Sequence, residues 1–244
     1  MDLQGKAALV TGGGSGIGRA TALLLAQKGA SVLVADIDET RGGDTVKMIA
    51  SARGTAAFVP MDATREGEIE KAIRKVVELW GKLDVMFNNA GILTGVPAFP
   101  DTPVEQWSRV VQLNFWAVIR GTQAAIESMK ASGGGVIVNT ASMAGVNPWP
   151  MDPVYSATKG GVVFFTKALA WLATSANVRV NCVCPTLVQT PLLSDASDAR
   201  IADLQRLTRL KADDVARAVL RLIEDDSLAG KALTVLPGQE PAFA

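Results

Sequence analysis

The sequence predicts an α/β fold, a parallel sheet wrapped by helices, and two observations carry that prediction. Short apolar runs of strand length recur along the chain with longer stretches of helical spacing between them. A glycine cluster also joins the first such run directly to the start of a helix, "ALVTGGGSGIGRA".

In chain order, "AALVT" predicts a strand at 7–11, "SVLVAD" at 31–36, "AAFVPM" at 56–61, "LDVMFN" at 83–88, "GVIVNT" at 135–140, "VRVNCV" at 178–183 and "KALTVL" at 231–236. Each is apolar enough to be buried on both faces, as strands of a covered parallel sheet are. Helices fill the intervals at about 16–28, 40–52, 65–80, 103–130, 153–174 and 211–225. No linker, repeat or low-complexity segment breaks the alternation, so residues 1–244 read as a single domain. Two longer gaps, 89–102 and 184–210, follow strands at the carboxyl edge, where open α/β sheets bind ligands. The second is too long for a plain connector, and 186–210 reads as a substrate-binding lid.

Composition narrows the function. Of 244 residues 48% are apolar, ample for a core, and Lys+Arg and Asp+Glu balance at 24 each. Without a charge excess, nucleic acid and anionic membrane surfaces are not expected partners. The start lacks the apolar core of a signal peptide, and the longest apolar run is short and interrupted by Lys167, so a cytoplasmic, soluble protein is expected. Cys182 and Cys184 are spaced too tightly for a zinc site and read as reduced thiols in or beside a strand; no metal is expected.

Gly12, Gly16 and Gly18 fit a tight turn that brings backbone N–H groups and a helix N-terminus to a pyrophosphate. The commoner G-x-G-x-x-G spacing is absent, so the acid that follows matters. Asp36 closes the second strand, where a carboxylate accepts both ribose hydroxyls of an adenosine and repels a 2′-phosphate. Ser15 in the turn supplies no offsetting positive charge, although Arg19 and Arg41 lie close in sequence. The expected cofactor is NAD.

Proton chemistry poses a question, because the chain has no histidine and one tyrosine, Tyr155, in "PVYSATKGG". Lys159 follows four residues later, about 40° away on a helix, and shares a face with it. Bringing a phenol from about 10 to about 7 takes about 4 kcal/mol. One opposite charge lowers a pKa by about 1–3, so the lysine falls short alone, and the positive ring of an oxidised nicotinamide is the natural second contributor.

Together, "TGGGSGIG", "NNAG", Asn114 in "QLNFWAV", Ser142 in "NTASMAG", and Tyr155 with Lys159 in "YSATK" resemble the ordered motifs of the short-chain dehydrogenases/reductases. The resemblance runs from "GKAALVTG" to "LAGKALTVLPG". It implies a three-layer, doubly wound Rossmann fold with a seven-stranded parallel sheet, and Asn114, Ser142, Tyr155 and Lys159 as the catalytic set. It also implies cofactor contacts at Gly12, Ser15, Gly16, Ile17, Gly18, Asp36, Ile37, Asp62, Ala63, Asn89, Ala90, Gly91, Tyr155, Lys159, Val188 and Thr190. Pro185-Thr186 departs from the family's usual Pro-Gly. The tail and lid motifs look most like the 15-hydroxyprostaglandin dehydrogenase branch, yet Asp152 stands where that branch has glutamine.

The resemblance implies that Tyr155 exchanges a proton with the substrate hydroxyl, Ser142 bonds the substrate oxygen and Asn114 holds a water near Lys159. Met143, Val146, Trp149 and Met151, with Leu187, Leu192 and Leu193, suggest a pocket for an apolar secondary alcohol or ketone. A reductase working on the ketone, or a cofactor-sensing protein without chemistry, are the alternatives; the second would be marked by loss of Tyr155 or Lys159, and both are present. Trp107, Trp116, Phe164, Phe165 and Trp171 offer more apolar helix surface than one sheet face needs. A homotetramer is expected, with a dimer as the alternative.

Overall fold

Strands form where apolar runs are buried on both faces, and the chain alternates them with helices. A computed structural model describes residues 1–194 and 209–244; 195–208, and the side chains of 193 and 194, lie outside that description. The first half holds β1 (Ala7–Thr11), α1 (Gly16–Gln27), β2 (Ser31–Asp36), α2 (Glu39–Ser51), β3 (Thr55–Pro60), α3 (Glu68–Trp80) and β4 (Val85–Asn88). After it come α4 (Val104–Val111), a π-helical turn (Gln112–Trp116), α5 (Ala117–Ala131), β5 (Gly135–Thr140), a 3₁₀ turn (Met143–Gly145) and α6 (Pro153–Ala168). The chain continues through α7 (Leu172–Ser175), β6 (Val178–Pro185), α8 (Pro191–Ser194), α9 (Ala212–Glu224), β7 (Ala232–Val235) and β8 (Ala242–Phe243).

The sheet order is β3-β2-β1-β4-β5-β6-β7-β8. Winding outward from β1 to β3 and then returning to the far side of β1 leaves a crevice between β1 and β4, the switch point at which such sheets bind ligands. Alternate residues of each strand feed opposite layers. Val10, Val34 and Val138 pack with Leu25 of α1 and Val219 of α9, while Leu9, Leu33 and Ile137 pack with Ile73 of α3 and Met129 of α5. A third cluster, with Val118, Val162, Cys182 and Cys184, backs the far half of the crevice. Among the described residues no helix is long and apolar enough to cross a membrane.

The seven expected strands, β1–β7, pair in parallel, and a two-residue eighth, β8, too short to leave a sequence pattern, joins β7 antiparallel. Three expectations need correction. The helix expected from 65 begins at Glu68, because Gly67 takes a left-handed conformation (φ 78°) that a helix cannot continue through. The helix expected over 103–130 changes to π geometry at 112–116, where the Ala117 N–H reaches back to the Gln112 carbonyl. The helix expected over 153–174 closes at Ala168 on bonds from Leu169 and Ala170 to carbonyls three residues back. The expected lid falls largely on 195–208, outside the described residues.

One close crossing fixes the depth of the crevice. A Cβ at Gly145 would lie 2.4 Å from the Lys159 carbonyl carbon and 2.5 Å from its oxygen, both backbone atoms of α6. Only glycine lets the turn after β5 lie against that helix. Gly145→Ala is expected to lower the melting temperature by several degrees and to separate Ser142 from α6; an unchanged melting curve would contradict this.

Candidate active site

The crevice opens into a cavity of about 690 Å³ at the carboxyl ends of β1, β2, β4, β5 and β6. It collects every candidate cofactor residue except Gly18, together with Ser142, Tyr155 and Lys159. Gly18 serves the turn instead: a Cβ there would meet the Gly12 carbonyl oxygen at 2.1 Å, so its absence lets α1 start directly under the loop.

At one end of the cavity the Asp36 carboxylate is held from two sides. It accepts the Gly14 N–H at 2.8 Å and the Asp38 N–H at 3.0 Å. Arg41 pairs with Asp38 at 3.4 Å, and Arg19 donates to the carbonyls of Gly14 and Arg41 and to the Thr45 hydroxyl. Asp62 sits nearby with its carboxyl held below the usual range, chiefly by the Thr64 hydroxyl at 2.6 Å. Arg109 of α4 reaches the same end, a cation the sequence reading did not single out.

Asn89 acts as a clasp. Its amide donates to the Thr11 and Gly12 carbonyls at 3.0 and 3.3 Å, while Thr11 Oγ1 accepts the Asn89 and Ala90 N–H groups. The glycine turn is thereby tied to the end of β4. Asn114 is a second clasp, fully buried in the π-helical turn. Its Oδ1 accepts the Ile92 N–H at 2.9 Å and its Nδ2 donates to the Ile92 carbonyl at 2.8 Å. Its side chain does not line the cavity. A Cβ at Gly91 would stand 3.1 Å from Asn114 Oδ1 and 3.5 Å from Lys159 Nζ, so a residue without a side chain separates the two.

Ser142, Tyr155 and Lys159 converge because the turn after β5 lies on the first turns of α6. Pro153 opens α6 and Asp152 caps it, accepting the Tyr155 N–H at 3.0 Å. Lys159 is 3% exposed and donates to the Thr140 carbonyl at 2.7 Å, a partner no motif announces. Its ammonium lies 5.8 Å from the Tyr155 ring centroid. Burial pushes the tyrosine up to about 12, opposed by a hydrogen bond with Ser142 and reinforced by the charge of Asp152. Burial also pulls Lys159 down to about 8, against the pull of Cys184 and Cys182. In the chain alone desolvation dominates the tyrosine, and the lysine does not by itself bring the phenol down.

Another side of the cavity is bounded by the strap after β6. The Thr186 N–H donates to the Val235 carbonyl at 3.2 Å, and the strap is fastened again where the Gln189 N–H meets the Leu210 carbonyl at 2.9 Å. Among described non-glycine residues only Arg53 and Asn177 have positive φ, so Thr186 needs no conformation reserved for glycine. Thr190 faces Gly16 across the turn, where a Cβ on the glycine would meet its methyl at 2.8 Å. Of the expected pocket residues, Met143, Trp149, Leu187 and Leu192 line the cavity, joined by Leu93, Leu113 and Leu236; Val146 and Met151 do not, and the Leu193 side chain lies outside the description.

The short chain dehydrogenase family model matches residues 6–201. The chain belongs to that family. This short-chain dehydrogenase is 38% identical over 223 residues to a cyclohexanol dehydrogenase of Acinetobacter sp. (strain SE19), covering 91% of this chain and 89% of that one. It is 36% identical over 228 residues to a cyclopentanol dehydrogenase of Comamonas sp. (strain NCIMB 9872), covering 91% of each. The crystal structure of a 3-ketoacyl-(acyl-carrier-protein) reductase from Brucella melitensis complexed with NADH superposes with a TM-score of 0.88 at 34% identity, covering 97% of this chain and 98% of that one. The protein is therefore an oxidoreductase of CH–OH groups in a family that binds nicotinamide cofactors.

Opposite shifts at two neighbouring groups give a signature in stability. Lys159 holds its proton less tightly folded (about 8) than its ordinary 10.5, so the unfolded chain binds more protons in that window and stability rises with pH across it. Tyr155 is raised from 10.0 to about 12, so above about pH 10 the unfolded chain loses its proton first and stability falls. Lys159→Met should remove the rise, so that the difference in unfolding free energy between wild type and variant, read by urea denaturation, climbs from pH 8 to 10. A flat difference would contradict a buried, charged lysine.

Proposed function

We propose that this short-chain dehydrogenase interconverts a small apolar secondary alcohol and its ketone with NAD as cofactor and Tyr155 as acid and base. One observation carries the reading: Ser142, Tyr155 and Lys159 stand together in a cavity whose neighbouring walls are mainly apolar, with Leu93, Met143, Trp149, Leu187 and Leu192 beside Asn147 and Thr186. An apolar molecule with a single oxygen finds hydrogen-bonding groups where the proton must move and apolar contact elsewhere.

The residues present fit a dinucleotide. Added Cβ atoms at Gly12 and Gly16 would fill the cradle above α1, meeting Ala90 at 3.0 Å and Thr190 at 2.8 Å. Asp36 keeps acceptor capacity beyond its two backbone bonds, and its charge disfavours a 2′-phosphate; Arg19 and Arg41 are engaged on Asp38, Thr45 and backbone carbonyls. NAD is favoured over NADP on that ground. A bound nicotinamide cofactor, held by the glycine turn and Asp36, would supply hydride exchange with the carbinol carbon and, in its oxidised form, a positive charge.

Ser142 donates to the substrate oxygen as its charge changes, and Tyr155 exchanges the hydroxyl proton. Lys159 keeps an ammonium behind the ring, oriented by the Thr140 carbonyl. Asn114 holds the Ile92 segment beside that ammonium. The fall from about 12 to about 7 takes about 7 kcal/mol and exceeds the roughly 1–3 pH units that one positive charge supplies, so the charge of an oxidised cofactor would have to act together with the Lys159 ammonium. The reductive direction is a second reading with its own support, because a tyrosine held at about 12 is protonated and ready to donate to a ketone.

The relatives acting on cyclohexanol and cyclopentanol favour an alicyclic substrate. Asp152 in place of the prostaglandin branch's glutamine counts against a prostaglandin. Two free, buried cysteines suit the cytoplasm. Trp116, Phe164 and Trp171, each more than half exposed, support a homo-oligomer, tetramer ahead of dimer.

With cyclohexanol and NAD⁺, Tyr155→Phe is expected to cost at least about 10³-fold in kcat while the affinity for NADH changes less than about threefold. Wild type should use NADP⁺ at least about tenfold less efficiently than NAD⁺. Substantial turnover by the phenylalanine variant would sink the assignment of the base, and equal use of both cofactors the assignment to Asp36.

A further inference from the structure

Asp152 is 6% exposed and spends its two carboxylate oxygens on two different elements. Oδ1 accepts the Tyr155 N–H at 3.0 Å, closing the first turn of α6. Oδ2 accepts the Thr94 N–H at 2.9 Å, 58 residues away in the loop after β4. The Thr94 carbonyl in turn takes the Gln106 amide at 2.5 Å, and Leu93 beside it lines the cavity. The loop that walls the substrate side and the helix that carries Tyr155 thus meet at one buried carboxylate. A carboxamide could not replace it, since it offers one acceptor oxygen to two N–H donors and turns an amino group toward the other.

We propose that Asp152 is a positioning residue that locks the 89–102 loop to the Tyr155 helix and sets a buried anion at the start of that helix. This rests on Tyr155 being the acid and base. The ionisable groups around the Tyr155 hydroxyl among the described residues are Lys159 on the same helix, Asp152 at its cap, and Cys184 of β6 behind Lys159. From the 89–102 loop the sole charge is the exposed Asp101, and α4 sends Arg109 to the Asp62 end of the cavity. Asp152 is therefore the anion held at the backbone of the base's own residue, and its charge adds to the rise of the phenol, so removing it should ease proton loss.

Because Tyr155 is the chain's only tyrosine, its phenolate absorbance can be titrated directly in the NAD⁺ complex, with no substrate needed. Asp152→Asn and Asp152→Ser, the second keeping a helix-capping oxygen, are both expected to move the midpoint to lower pH by about one unit. Hydrogen exchange at the Thr94 amide should rise at least about tenfold in both while NADH affinity is kept. Wild-type midpoints and wild-type exchange at Thr94 in either folded variant would overturn the proposal. Tyr155→Phe run beside them separates the two claims: its full activity would remove the base itself, whereas an inactive Phe variant with unmoved Asp152 midpoints removes only this inference.

Discussion

The burial of the Tyr155–Lys159 pair is the constraint on which the rest of the site depends. Both groups titrate away from their ordinary values for the same reason, the loss of water, and in opposite directions. Lysine at about 8 and tyrosine at about 12 mean that raising the pH of the free protein discharges the ammonium well before the phenol ionises. Alkali alone therefore removes the charge that would have favoured the phenolate. In the free protein the phenol is therefore protonated across the neutral range, and under the function proposed above an added positive charge would be needed to make it a base.

Backbone, more than side chains, holds that pair in place. The Thr140 carbonyl at the end of β5 orients the ammonium, and Gly145 lets the following turn lie directly on the Lys159 backbone. Asn89 and Asn114 tie the ends of β1 and β4 and the start of the 89–102 loop to the same crevice. These are bonds between rigid elements at the switch point of the sheet, which is the arrangement preorganised electrostatics requires. The same sheet order that makes the crevice also places β5 and β6 behind it, so the fold supplies the desolvation that shifts both pKa values.

The strands β1, β2 and β5 were legible to the residue, because a strand buried on both faces leaves an unbroken apolar run. The two residues of β8 leave no such run, and the π-helical turn at Asn114 keeps a helical spacing that hides it. Gathering of the glycine turn, Asp36, Ser142, Tyr155 and Lys159 into one cavity was legible only through the resemblance of their ordered motifs to the family. The Thr140 carbonyl could not be foreseen, since any residue at that place supplies one. Asp152 was visible as a departure from a related pattern, but its bond to Thr94 spans 58 residues and belongs to tertiary structure alone.

The most direct test is the absorbance of the lone tyrosine at one pH between 8 and 10, recorded for the protein alone, with NADH and with NAD⁺. Phenolate absorbance should appear with NAD⁺ and be absent in the other two samples, since only the oxidised cofactor brings a positive ring. Equal phenolate in the free protein, or none with NAD⁺ at saturation, would contradict a base made by the cofactor's charge.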